Sequence, residues 1–164
     1  MQVRRALAIA SLALAVVACS TSVSMAADAP VNSHVSKNSK VKKRTLSKND
    51  RSSVIDVALH STRAHRAGKD CSHLVHAIYE HAGFPYAYAD SEDLYAGADG
   101  FQRISKPQAA DLVVWHGHVG IVIRPSGHQF FSLLSTGPGV DDYKSRYWKT
   151  RGQPRFYRYV KTDS

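Results

Sequence analysis

Apolar residues recur at two spacings along this chain, and the change from one to the other divides it. From Ser53 to Arg66, Val54, Val57, Ala58 and Leu59 alternate with polar residues in a pattern that predicts a modest amphipathic helix. A stronger helix is predicted from Cys71 to Ala82, where Cys71, Leu74, Val75, Ile78 and Ala82 share one face. Asp70 is its N-cap and Gly83 its stop. His73, His76 and His81 fall mostly on its polar side and read as surface residues. Ser91 to Tyr95 predicts one more helical turn, capped by Ser91, ahead of a loop through Gly97 and Gly100.

After Pro107 the period changes to that of strands. Asp111–Trp115 and His118–Ile123 are short apolar runs, and Gln129–Leu134 is a third after a turn at Arg124–His128. Pro154–Val160 alternates in a way that predicts an edge strand. Gly137-Pro138-Gly139 reads as a loop, and Asp141–Trp148 as a short helix after it. Helices followed by neighbouring strands predict an α+β fold, with N-terminal helices packed on a small antiparallel β-sheet.

The N-terminus follows a different rule. Met1–Arg5 is basic, and Ala6–Ala18 is apolar apart from Ser11. A bilayer needs ~20 such residues, so the run reads as the core of an export signal. Val16-Val17-Ala18-Cys19 has the pattern of a bacterial lipoprotein signal, with Cys19 the acylated residue. Ser24-Met25-Ala26 offers ordinary secretory cleavage as the alternative. Residues 1–18 are therefore read as signal peptide, 19–50 as a disordered basic tether and 51–161 as the folded domain. Ser20 after Cys19 leans toward the outer membrane where the host has one.

Charge changes the picture only slightly. The net charge is +9, and the tether contributes Lys37, Lys40, Lys42, Lys43, Arg44 and Lys48. Attraction to an anionic envelope polymer or lipid head group, and a merely solvated spacer, both remain open. No nucleic-acid-binding motif is present, and an exported chain rarely meets nucleic acid. The domain is read as a monomer that needs no cofactor.

One cysteine remains in the predicted domain, at the start of a helix. Exported thiols normally pair, so a single one draws attention as a nucleophile. A helix N-terminus favours a thiolate and supplies oxyanion donors, although the Asp70 carboxylate opposes the first effect. His118 is the candidate base: it shares a strand face with Gly120 and Val122, and Gly120 removes bulk where the Cys71 helix could approach. His116 has the same parity and competes. Ser132 shares a face with Phe130 and Leu134, and it is the polar neighbour that could orient the imidazole. Against this stand a Cys71 that is simply a small core residue, a metal held by His116, His118 and Cys71, and a Cys19–Cys71 disulfide.

Asp70-Cys71-Ser72-His73-Leu74-Val75, Asp111-Leu112-Val113-Val114-Trp115 and His118-Val119-Gly120-Ile121-Val122-Ile123 resemble, in that order, the NlpC-type cell-wall cysteine peptidases, a papain-like family. Gly139-Val140 and Tyr147-Trp148 follow as in many members, so the resemblance covers roughly Asp70 to Tyr159. It implies a papain-like fold that hydrolyses amide bonds in peptidoglycan stem peptides, usually between D-γ-glutamate and the diamino acid. Carried over by position, Cys71 is the nucleophile and His118 the base, pairing with the thiolate and protonating the leaving amine. Asp70 and Ser72 match substrate-contacting positions, including those around the free amino end.

Two positions depart from the family. The third catalytic place, commonly His, Asn or Gln, is held by Ser132. The segment upstream of the cysteine, Ala64–Lys69, lacks the tyrosine that helps form the oxyanion site, for which Tyr86 or Tyr88 could substitute. The expectation is a lipid-anchored envelope peptidase. A papain-like amidase or acyltransferase on another substrate, and a catalytically weak wall-binding lipoprotein, are the rivals.

Overall fold

The computed structural model describes residues 43–161. The proposed signal peptide, Cys19 and the tether as far as residue 42 lie outside the described residues. The elements run β1 (Arg44–Thr45), α1 (Lys48–His60), α2 (Thr62–Ala67), α3 (Cys71–His81), α4 (Ser91–Ala96), β2 (Phe101–Ile104), β3 (Leu112–Trp115), β4 (His118–Arg124), β5 (Gln129–Leu134), β6 (Gly137–Asp142), α5 (Arg146–Thr150) and β7 (Arg155–Lys161). The fold is α+β, with helices packed on a seven-stranded antiparallel sheet. Its strand order is β1-β7-β3-β4-β5-β6, with β2 also paired to β7.

Structure begins earlier than the pattern predicts. Ser47 caps α1 by accepting from the Asp50 N–H at 3.2 Å, and the Asp50 carboxylate accepts from the Ser47 N–H at 2.8 Å. That reciprocal pair starts a helix at Lys48 inside the stretch read as tether, and β1 precedes it. Lys161 Nζ adds an ion pair to Asp50 at 2.8 Å, tying the end of β7 to the start of α1. The single helix expected over Ser53–Arg66 is two helices. Ser61 ends α1 and caps α2 by accepting from the Ala64 N–H at 3.2 Å.

The sheet is covered on both faces. Against one lie Val54 and Ala58 of α1 and Leu74, Val75 and Ile78 of α3, packed with Leu112, Val114, Val119, Ile121 and Phe131. The other buries Val113, Trp115, Val122, Phe130, Tyr143 and Trp148. Double coverage explains why β3 reads as an unbroken apolar run.

β7 corrects a second expectation, because it is interior and not an edge: β1 and β2 pair with it, and so does β3. Two of its charged residues are used internally. Arg158 makes a two-pronged pair with the buried Asp111 at 3.0 and 2.8 Å. Arg155 donates to the Tyr95 carbonyl at 2.7 Å and lies 4.0 Å over that ring. β2 follows directly on the loop expected through Gly97 and Gly100, and β6 occupies the stretch expected to be a loop at Gly137-Pro138-Gly139, with the helix expected from Asp141 starting only at Arg146. β6 pairs with β5 from Gly137 to Asp142 despite its glycines and proline, as an outermost strand can.

Candidate active site

Cys71 is the first residue of α3, half-buried, and makes no disulfide among the described residues. Among the described residues its sulfur takes no hydrogen bond. The preceding residue, Asp70, is in extended conformation and turns its carboxylate onto the helix end. Oδ1 accepts from the His73 N–H at 2.9 Å, and Oδ2 lies 2.8 Å from His73 Nδ1. Burial pushes the Asp70 carboxyl up, but the hydrogen bonds from the His73 backbone and ring outweigh it and hold it below its ordinary value. The carboxylate is therefore ionised, with both oxygens engaged at the helix cap. Ser72 is buried at 3% exposure. His73 and His76 are not the free surface residues expected, since His76 Nε2 lies 3.0 Å from the Tyr86 carbonyl oxygen.

His118 opens β4 directly after a turn in which Gly117 takes φ +71°. Its ring is half-buried against Trp148, with ring centroids 4.6 Å apart. Ser132 comes from β5, whose register pairs Ile121 with Phe131 and so places Ser132 on the same sheet face. Its Oγ lies 3.0 Å from His118 Nε2 and donates to the Val119 carbonyl at 2.6 Å. The hydroxyl has one proton, which goes to Val119. It therefore accepts from the imidazole, and Nε2 carries the hydrogen. Nδ1 is left unprotonated and takes no hydrogen bond among the described residues.

Burial, followed by the positive charge of Arg151, lowers the His118 pKa to about 4. The ring is neutral at pH 7, so it is available as a base. A thiolate at Cys71 would raise this value by its charge. The space at Gly120 is used differently. A Cβ there would meet the Phe130 ring at 2.4 Å, so the glycine admits Phe130 beneath the His118 face and makes no room for α3. His116, the competing histidine, is exposed. It pairs with Glu92 at 2.7 Å and stacks on Tyr95.

The two tyrosines separate clearly. Tyr86 is half-buried against Tyr79 and Phe101 with its hydroxyl buried and unpartnered, and desolvation drives its pKa far up. Tyr88 is 47% exposed, and its hydroxyl lies 3.1 Å from His73 Nδ1 at the first turn of α3. Its pKa is raised by burial and then by nearby charges that include Asp70 and Cys71. Only Tyr88 is positioned to meet a ligand at the thiol.

A hollow of about 390 Å³ adjoins His118, lined by Leu133, Leu134, Asp141, Tyr147 and Trp148 among others. A larger one, about 620 Å³, lies by Lys106, His128, Lys144 and Lys149 and includes none of the candidate catalytic residues. Among the described residues, no three His, Cys, Asp or Glu side chains gather as a metal site requires. Trp148, whose Nε1 donates to Asp141 Oδ2 at 2.7 Å, and Arg151 are parts of the site that residue patterns left without a role.

No family model and no curated protein matches the chain. Among solved structures, it is similar to a crystal structure of an NLP/P60-family protein, described as similar to lipoprotein, from Staphylococcus aureus subsp. aureus Mu50. The two are 25% identical with a TM-score of 0.53, over 70% of this chain and 43% of that one. The fold is NlpC-like. This chain spans less than half of the staphylococcal structure, so the NlpC-like likeness concerns one part of that protein.

Proposed function

We propose that the chain is an exported thiol hydrolase that cuts amide bonds in peptidoglycan stem peptides, with the D-γ-glutamyl–diamino acid bond as its target. The reading extends to a lipid anchor at Cys19, a tether and one peptidase domain in the bacterial envelope. The observation that carries it is the 3.0 Å contact between Ser132 and His118 Nε2, taken with the half-buried thiol at the first residue of α3. In this arrangement Nδ1 of a neutral imidazole is the open base, and the NlpC-like fold supplies the setting.

His118 Nδ1 takes the thiol proton as sulfur attacks the amide carbonyl, forming the C–S bond and a tetrahedral oxyanion. Backbone N–H groups at the start of α3 and the Tyr88 hydroxyl are the proposed donors to that oxyanion. The intermediate collapses with cleavage of C–N, and the His118 proton leaves on the amine. Water, deprotonated by His118, then hydrolyses the thioester and frees Cys71. Asp70 and Ser72 are proposed to set the substrate's amino end, Asp70 by its charge and Ser72 from its buried place on the first turn.

The test is digestion of purified muropeptides by the wild type and by Cys71→Ala, with products read by mass spectrometry. Release of a new amine that disappears in the variant supports hydrolysis at Cys71. Undiminished turnover by Cys71→Ala removes the mechanism, and transfer of the acyl group to another amine replaces hydrolysis with acyl transfer.

A further inference from the structure

Arg151 is held at the rim of this site by three contacts. Its Nη2 donates to the His116 carbonyl at 3.1 Å, its Nη1 donates to the Tyr147 hydroxyl at 3.4 Å, and its guanidinium lies 5.6 Å from the Trp148 ring centroid. That indole is the one stacked on His118. Two of its N–H groups are thus occupied, and the others take no partner among the described residues. None of the ion pairs among the described residues includes Arg151. Asp141, the acidic residue of the same cluster, is engaged with Trp148 Nε1. Next to burial, Arg151 is what weakens His118 as a base. A fixed cation that opposes the catalytic base has a rationale where the substrate brings an anion to it.

We infer that Arg151 forms a carboxylate subsite beside His118, taking a free carboxylate of the peptide substrate on its unoccupied N–H fork. The assignment rests on the proposed peptidase reading and specifies its substrate class: acidic peptides, in preference to those amidated at the same carboxyl. A guanidinium suits this task because its planar fork matches both carboxylate oxygens. Its anchoring by His116, Tyr147 and Trp148 limits the side-chain entropy lost on binding. Occupancy of the subsite also neutralises the charge that weakens His118, so the base strengthens once the correct substrate is bound.

The experiment compares two stem peptides that differ only in a free carboxylate against a carboxamide. Their binding to the full-length Cys71→Ala protein is measured by calorimetry, and again with Arg151→Gln or Arg151→Lys added. The carboxylate peptide is expected to bind at least about tenfold more tightly. Arg151→Gln abolishes that preference, and Arg151→Lys retains part of it. No preference before Arg151 is changed, or the same preference after Arg151→Gln, overturns the subsite. Turnover of both peptides by the wild type is followed separately. A binding preference with no cleavage would discard the peptidase reading and leave the subsite standing.

Discussion

Ser132 Oγ lies 3.0 Å from His118 Nε2 and can only accept there, because its one proton goes to the Val119 carbonyl. A serine in this place fixes the tautomer of the base without adding charge to it. It orients the ring as an amide would, but gives the protonated ring none of the stabilisation that a carboxylate gives. Ser132→Ala should therefore release the tautomer and leave both the ring N–H and the Val119 carbonyl without a partner. A 10- to 100-fold fall in kcat/KM, roughly the scale of a lost hydrogen bond to a developing charge, is expected. Nitrogen-15 spectra of the imidazole should show the Nε2–H form in the wild type and a mixture in the variant. An unchanged tautomer would contradict the assignment.

The depressed His118 pKa sets a pH dependence of stability. The unfolded chain takes up this proton near pH 6.5 and the folded chain near 4, so between those values the unfolded state binds more protons. Stability should rise with pH through that window and fall as the medium is acidified toward pH 4. The contribution is at most about 3 kcal/mol and is reduced by partial exposure of the ring. Urea unfolding of the wild type and His118→Gln from pH 4 to 7 should show a steeper slope in the wild type. The acid limb of kcat/KM should likewise lie below the usual histidine range.

Tyr88→Phe removes one proposed oxyanion donor without disturbing the core, since this side chain is largely exposed. A loss of roughly 10²-fold in kcat with KM little changed is expected. The reverse pattern, a raised KM at constant kcat, would reassign Tyr88 to substrate binding. Tyr86→Phe provides the contrast. Its hydroxyl is buried without a partner, so deleting it should cost no stability.

Gly120 is a packing requirement of the site. In Gly120→Ala the new methyl would press on the Phe130 ring at 2.4 Å and on the Phe131 carbonyl at 2.8 Å, and backbone cannot yield easily. A loss of about 1–3 kcal/mol in chemical denaturation is expected. Tryptophan fluorescence should change as well, because Phe130 packs on both Trp115 and Trp148.

Arg158→Met tests the interior charge of β7. It strands the Asp111 carboxylate, 2% exposed, without its two-pronged partner, and should cost about 3 kcal/mol. A near-neutral result in thermal unfolding would mean that Asp111 finds another donor.

These tests also mark what the chain discloses as a linear string. The α3 face, its Asp70 cap and the strands from Leu112 to Leu134 follow from spacing alone, because their periods are regular and their ends carry caps or turns. Ser132 follows from parity along β5 once the hairpin register is assumed. Other parts depend on partners far away in the chain. β7 looks like an edge until Asp111 and Tyr95 are seen to absorb its arginines. β2 and β6 are held by backbone hydrogen bonds that leave no side-chain period. The Ser47–Asp50 capping box was a legible signal within three residues, hidden by the basic composition around it. Arg151 and Asp141 had no local signal, since their roles exist only through the Trp148 ring.

That ring has a consequence for the order in which the protein is made. Cys71, His118 and Ser132 all precede α5 in the chain, but the indole against His118 comes from α5, the cation beside it from the residue that follows α5, and Asp141 that fixes the indole lies at the end of β6. A growing or partly threaded chain would hold the three candidate residues before it held the wall against His118. In the proposed hydrolase, α5 would therefore act as a timing device, since the wall against His118 would close only after the three candidate catalytic residues were already in the chain.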